Sequence, residues 1–221
     1  MTETERFRII IRRLEQAEEL KKAPVWTFKA AKETPFQVLV GTLLSARTRD
    51  ETTTKVVKRL FQVVHGPEDL VRLSEDEIAE LIYPVGFYRT KARHLKQLGE
   101  VLLKAFGGRV PDTLEELTRL PGVGRKTANI VLVEAFDKPA LSVDVHVHLI
   151  ANRLGLVRTR TPEETEKALK ALLPDPEEWK KVNLLFVALG QTICTPRNPQ
   201  CHRCPVEDLC PKIGVEQVPP R

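Results

Sequence analysis

The stretch Leu120–Leu132, LPGVGRKTANIVL, joins a glycine-punctuated turn to an apolar run. Pro121 stops a preceding helix, while Gly122 and Gly124 permit backbone conformations barred to residues with a Cβ. From Lys126 onward, Ala128, Ile130, Val131, Leu132, Val133, Ala135 and Phe136 predict a helix hydrophobic all round and therefore buried. Helix, tight turn, helix is the reading from which the rest of the chain is placed.

Working outward, helical periodicity dominates. It predicts helices over Glu3–Lys22, Pro35–Ser45, Asp50–His65, Pro67–Leu73, Ser74–Ile82 and Thr90–Ala105. Further helices follow over Thr113–Arg119, Lys126–Phe136, His146–Leu154, Thr161–Leu173 and Glu177–Gln191. Asp50 and Thr161-Pro162 supply start signals, and Gly86 and Gly107-Gly108 mark stops. The alternating stretch ALSVDVHVHLI has no second strand to pair with, so it reads as an extended loop leading into a helix. The fold class is all-α.

The chain has 221 residues, a formal net charge of +5 and a pI near 9.1, which mildly favour an anionic partner. The opening MTETERFRIIIRRLEQAEELKK carries charges too often for a signal peptide or membrane span, so a cytoplasmic protein with reduced thiols is expected.

The turn is no P-loop, since Arg125 stands where a glycine must precede Lys-Thr, and no dinucleotide fingerprint, since Thr127 replaces its third glycine. A helix-hairpin-helix remains. The backbone of Gly122, Val123, Gly124 and Arg125 would seat a phosphate oxygen ahead of a helix N-terminus and grip DNA without reading bases. A plain interhelical turn is the alternative. Lys126 would lie in that helix's first turn on the side of Ile130 and Val133, where apolar neighbours and the helix dipole both oppose its charge. A neutral lysine is a nucleophile that can form a Schiff base; the other reading is a lysine that snorkels to a phosphate.

All four cysteines, Cys194, Cys201, Cys204 and Cys210, lie in one C-x6-C-x2-C-x5-C cluster. Reduced surroundings argue against disulfides, and a single C-x2-C pair favours a [4Fe–4S] cluster over zinc. No acid occurs from Thr192 to Val206, so Arg197 and Arg203 make this loop a second candidate phosphate contact, against a reading of ordinary solvated arginines. His146 and His148 are too close in register to share a metal on one helix face; one is expected near Asp144 and the other at the surface. Glu178, Lys180 and Lys181 read as a solvated face.

Taken together, LPGVGRKTANIVL, SVDVH at Ser142–His146 and the cysteine tail resemble the endonuclease III family of DNA glycosylases/AP lyases. LLSARTRD (Leu43–Asp50) and GFYRTKA (Gly86–Ala92) extend the likeness, which runs from about Pro35 to Pro211. The resemblance implies two helical domains with a DNA-binding cleft between them. One is a six-helix barrel with the hairpin over residues 28–138; the other, over 1–27 and 139–221, carries the cluster. It implies Lys126 as nucleophile and Asp144 as the essential aspartate, acting on oxidised pyrimidines in duplex DNA by a Schiff base and β-elimination, in a monomer. Asp144 also reads as a helix N-cap.

Arg47 and Phe87 are departures, at positions where the family typically has a glutamine and often a leucine. Phe87 suits a wedge between bases or a core site beneath Gly86. Arg47 suits a guanine edge or a phosphate. Competing readings are a monofunctional mismatch glycosylase acting on G:T, G:U or adenine, a non-catalytic DNA-binding iron–sulfur protein, and an iron–sulfur electron carrier. The lysine weighs against the first, Lys126 with Asp144 against the second, and the hairpin against the third.

Overall fold

The computed structural model describes residues 1–215. It is helical throughout, with no strand among the described residues, and divides into two compact units, residues 27–138 and residues 1–26 with 139–221. No helix among the described residues is long and apolar enough to cross a membrane.

The unit formed by 27–138 is built around α3 (Pro35–Ser45), the second of two helices between Pro24 and Ser45, since α1 (Glu3–Gln16) and α2 (Pro24–Ala30) precede it. Thr34 and Gln37 close a capping box at its start with Pro35 in the first turn, and eight of its residues, Phe36 and Val38–Leu44, are buried. It contacts α4 (Asp50–Leu60), α7 (Tyr88–Phe106) and α9 (Arg125–Phe136). α7 in turn packs on α5 (Pro67–Arg72) and α6 (Glu75–Ile82). Gly99 permits that approach, because a Cβ there would stand 2.9 Å from the Pro67 carbonyl oxygen. α8 (Leu114–Thr118) leads into the hairpin turn.

The second unit packs α1 against α12 (Trp179–Thr192), with α10 (Val145–Arg153) and α11 (Pro162–Leu172) completing it. Phe7 and Phe186 are fully buried at its centre, their rings 6.1 Å apart and tilted. Around them lie Ile10, Val147, Ile150, Leu169, Val182 and Leu189.

Several expectations are corrected. The predicted helix Glu3–Lys22 stops at Gln16; Ala17 is extended and a 3-10 turn over Glu18–Lys22 follows. That break lets Leu20 enter the core at 1 % exposure, where its carbonyl accepts the Trp26 indole N–H at 2.8 Å. The helix predicted to reach His65 ends at Leu60, and the turn after it buries Val64 completely. Asp50 is the first helical residue there, not the cap; Arg49 holds the cap position without a side-chain bond. Gly86 ends no helix, since α6 closes at Ile82. α2 is absent from the sequence expectations, being too short for a period to show. The start of ALSVDVHVHLI, residues 140–144, has no regular structure and leads into a helix, as its sequence predicts.

Candidate active site

Within the hairpin the two glycines do different work. Gly122 has φ +74°, and a Cβ on it would come within 2.7 Å of His94 Nδ1 on α7. Both backbone and packing therefore require glycine there. Gly124, expected to need the same freedom, is ordinary extended backbone with φ −92°. It caps α9, and a Cβ added to it would meet nothing within 4 Å, so the helix N-terminus is left uncovered. Val123 is buried and its N–H already donates to the Leu120 carbonyl at 3.1 Å, so it is not the phosphate donor expected of it, while Arg125 is exposed. Gly122→Ala is expected to cost about 1–3 kcal/mol, read as a lower Tm; an unchanged melt would mean that the turn and His94 relax freely.

Lys126 lies in the first turn of α9 and is exposed. The expectation of a buried, uniformly apolar helix is thus corrected. α9 buries Ala128, Asn129, Val131 and Leu132, whereas Ile130, Val133, Ala135 and Phe136 are half-buried. Of the two features expected to act on the lysine, its place at the positive end of the helix remains. α9 is anchored further along by Glu134, whose carboxylate accepts from Lys32 Nζ at 2.9 Å in a pair almost closed to solvent. Burial pushes the Lys32 ammonium down, opposed by Glu134, and the same ammonium sits 3.9 Å over the Phe28 ring.

The two departures from the family pattern meet. The Arg47 guanidinium lies 5.3 Å from the centre of the Phe87 ring, a cation–π contact between the loop after α3 and the start of α7. Phe87 is 61 % exposed, which removes the core reading. Both residues are left-handed, with φ 55° and 58°, a conformation that costs non-glycine residues about 1–3 kcal/mol and clusters at functional sites. The loops abut so closely that a Cβ on Gly86 would stand 2.6 Å from the Arg47 carbonyl oxygen. The Gly86 N–H donates to Thr48 Oγ1 at 2.9 Å.

Beneath them lies a residue that the sequence alone does not single out. Lys91 is buried, and its Nζ donates to the Leu44 and Ala46 carbonyls at 2.8 and 2.6 Å and to Thr48 Oγ1 at 3.5 Å. Burial pushes its ammonium down to about 8. Its spacing to Leu95, Leu98 and Leu102 along the apolar stripe of α7 is the available signal. His94, one turn on, touches the hairpin glycine, so the first two turns of α7, roughly 10 Å of rise, shape both loops.

In the other unit, Asp144 caps α10, its Oδ1 accepting the Val147 N–H at 2.9 Å. That bond fixes the half-buried carboxylate at the helix start. The expected surface histidine is corrected, since both rings pack against neighbouring helices. His148 Nδ1 bonds Thr165 Oγ1 of α11 at 2.7 Å. His146 lies against Gly190 of α12, where a Cβ would be 2.4 Å from its Nδ1, a buried nitrogen with no hydrogen-bond partner among the described residues. Glu178 and Lys181 reach α1 as ion pairs with Arg8 and Glu15.

Cys194, Cys201, Cys204 and Cys210 all line one pocket beside Ile150, Leu154 and Leu189. The thiols ring this space: among the described residues no three His, Cys, Asp or Glu side chains converge to hold a single metal ion. Arg153, buried, donates toward Cys194 Sγ at 3.4 Å and to the Thr195 and Pro196 carbonyls at 2.9 and 2.8 Å. Its Nε is buried with no hydrogen-bond partner among the described residues. The Lys212 N–H points at Cys210 Sγ at 3.3 Å. Burial pushes the Cys204 thiol up to about 11 and raises Cys194 and Cys210 as well. Arg197 is exposed, but Arg203 pairs with Glu19 and is no solitary phosphate ligand.

Residues 40–175 match the HhH-GPD superfamily base excision DNA repair protein family, and residues 194–210 match the iron-sulfur binding domain of endonuclease III. The chain is 52 % identical to endonuclease III of Thermotoga maritima, over 87 % of this chain and 91 % of that one. It is 45 % identical to the chloroplastic endonuclease III homolog 2 of Arabidopsis thaliana, covering 86 % of this chain and 51 % of that longer protein. Its backbone is similar to a non-covalent endonuclease III–DNA complex, with TM-score 0.85 and 35 % identity over 96 % of this chain and 97 % of that one. A trapped endonuclease III–DNA covalent intermediate gives TM-score 0.84 and 34 % identity, with the same shares covered. The turn, the exposed lysine after it and the ring of thiols thus sit in a chain that belongs to the HhH-GPD superfamily of base excision repair proteins and, within it, to the endonuclease III family.

Proposed function

We propose that this chain is a bifunctional DNA glycosylase and AP lyase that removes oxidised pyrimidines from duplex DNA and cuts the strand 3′ to the abasic site, acting as a monomer on DNA in the cytoplasm. The observation that carries the reading is Lys126, exposed in the first turn of α9 directly after the uncovered Gly124 N-terminus. A related chain trapped covalently on DNA supports it.

In this reading the backbone of the exposed Gly122 and Gly124 at the start of α9 binds a phosphate, and Phe87 with Arg47 fills the space left when the damaged nucleotide leaves the stack. The arginine either hydrogen-bonds a guanine edge opposite the lesion or holds a phosphate. The Lys126 amine attacks C1′, and the C1′–N bond breaks with its electron pair leaving on the base, which takes up a proton. Asp144 stabilises positive charge at the sugar and accepts the proton that the lysine nitrogen loses. The nitrogen lone pair then forms the C=N bond as the C1′–O4′ bond breaks, its electron pair and a proton going to O4′, and the ring-opened Schiff base acidifies C2′–H. Loss of that proton expels the 3′ phosphate oxygen, and water releases the lysine. Every step balances without an electron donor or acceptor.

The cysteine ring fits a [4Fe–4S] group. Four cysteines line one pocket, the buried Arg153 brings positive charge beside Cys194, and their spacing holds one C-x2-C pair where structural zinc usually has two. Cys194, Cys201, Cys204 and Cys210 would hold the cluster, which supplies a structural crosslink and a seat for the exposed Arg197 against phosphate.

The test is a duplex with one oxidised pyrimidine, treated with the protein and borohydride. Base release, strand cutting and a covalent adduct are expected together. Base release without an adduct would make the enzyme monofunctional, and binding with neither would leave a DNA-binding scaffold.

A further inference from the structure

We infer that Lys91 is a positioning residue for the gap-filling pair, holding the loop that presents Arg47 against Phe87. The inference rests on the functional reading above and goes beyond it, since Lys91 meets neither DNA nor the reacting sugar there.

The argument starts from strain. Two non-glycine residues with φ near +55° on facing loops persist only where their surroundings over-determine them. The Arg47–Phe87 contact alone is too weak to do this, a cation–π contact at an exposed site being worth about 0.5–1 kcal/mol. Lys91 provides what is missing. Its three acceptors are the Leu44 carbonyl in the last turn of α3, the Ala46 carbonyl just beyond that helix, and Thr48 Oγ1 on the far side of Arg47. Arg47 is therefore bracketed on both sides by one ammonium. Thr48 Oγ1 also accepts from the Gly86 N–H, so the same network reaches the residue before Phe87. The lysine itself is fixed, being buried on the apolar stripe of the helix that Phe87 opens. A methionine there would fill the space and take the lysine donor from the buried Leu44 carbonyl and from the carbonyl of Ala46. An arginine would keep the charge and several donors.

The experiment compares wild type with Lys91→Met, Lys91→Arg and Thr48→Val on two substrates. One is a duplex with an oxidised pyrimidine opposite guanine, where a gap must be filled. The other is a single strand with an abasic site, where there is none. Lys91→Met is expected to lose about 10²-fold in kcat/KM on the duplex, mostly in kcat, and to keep single-strand cutting within about twofold of wild type. Lys91→Arg is expected to restore most of the duplex activity. Thr48→Val, at a partly exposed site that does not endanger folding, is expected to show the same duplex-selective loss. Equal losses on both substrates, or failure of Lys91→Met to fold with Thr48→Val unchanged on the duplex, would reduce Lys91 to a helix-capping residue and overturn the inference. A wild type inactive on both substrates would overturn the functional reading itself.

Discussion

Lys126→Ala is expected to abolish the borohydride-trapped adduct and strand cutting, with base release falling by at least about 10³-fold, as removal of a covalent nucleophile does. The fold should not register the change. Lys126 is exposed, its helix is anchored on the other face by Val131 and Leu132, and Glu134 is held by Lys32. Surface substitutions of this kind stay within about 0.5 kcal/mol, so the melt is the control. Binding separates the two roles that the sequence leaves open for this lysine. A phosphate contact would show as weaker binding to every duplex and a salt slope smaller by about one, with trapping intact. A nucleophile shows as lost trapping with the salt slope almost unchanged. An adduct that survives in the variant would move the nucleophile elsewhere, and the gap-filling loops and the hairpin would then need another catalytic partner.

The hairpin is legible in the sequence because it is local: Pro121, Gly122 and the apolar run after Lys126 are neighbours in the chain. α3 and the caps at Thr34, Ser74 and Thr161 are local too, which is why the helix bounds there hold closely. What sequence does not show is set by tertiary contact. Gln16 ends α1 because Leu20 and Trp26 have a core to enter, and Leu60 ends α4 because Val64 does. The exposure of Lys126 is hidden for the same reason: a helix apolar in composition still packs on one side only, here against α3 and α8. Lys91 escapes notice because a lysine counts as polar in any periodicity, although its spacing to Leu95 puts it on the buried stripe. The Arg47–Phe87 contact joins loops forty residues apart in sequence, so each reads singly. Asp144 is legible as a cap, and the same carboxylate is the one the family resemblance assigns to chemistry.

Loss of the iron–sulfur group is expected to destabilise the unit containing α1, α10, α11 and α12 by more than about 4 kcal/mol, as loss of a structural metal centre does. The reason lies in how little else orders the segment between Cys194 and Cys210. Its only helical pieces are three-residue 3-10 turns at Cys201–Arg203 and Glu207–Leu209, too short to stand alone. Val206 is its one fully buried side chain. Burial pushes the Cys194 thiol up, so without the group the sulfur beside Arg153 favours its neutral form and holds the guanidinium less firmly. That buried guanidinium would keep the Thr195 and Pro196 carbonyls only as long as the segment stayed in place. Chelation under mild oxidation, or Cys204→Ala, should therefore lower Tm by roughly 10 °C, at about 2–4 °C per kcal/mol for a chain of this size. Trypsin should then cut at Arg197, Arg203 or Lys212 faster than in the loaded protein. DNA binding should weaken with the segment, because Arg197 depends on it. If the visible iron–sulfur absorbance disappears while Tm and the tryptic pattern stay as they were, the group is not a structural crosslink, and an electron-carrying role becomes the reading to pursue. The chemistry proposed for Lys126 and Asp144 moves protons and one electron pair at a time and asks no oxidation of the cluster, so the order of this segment is the contribution that the melt and the tryptic pattern read.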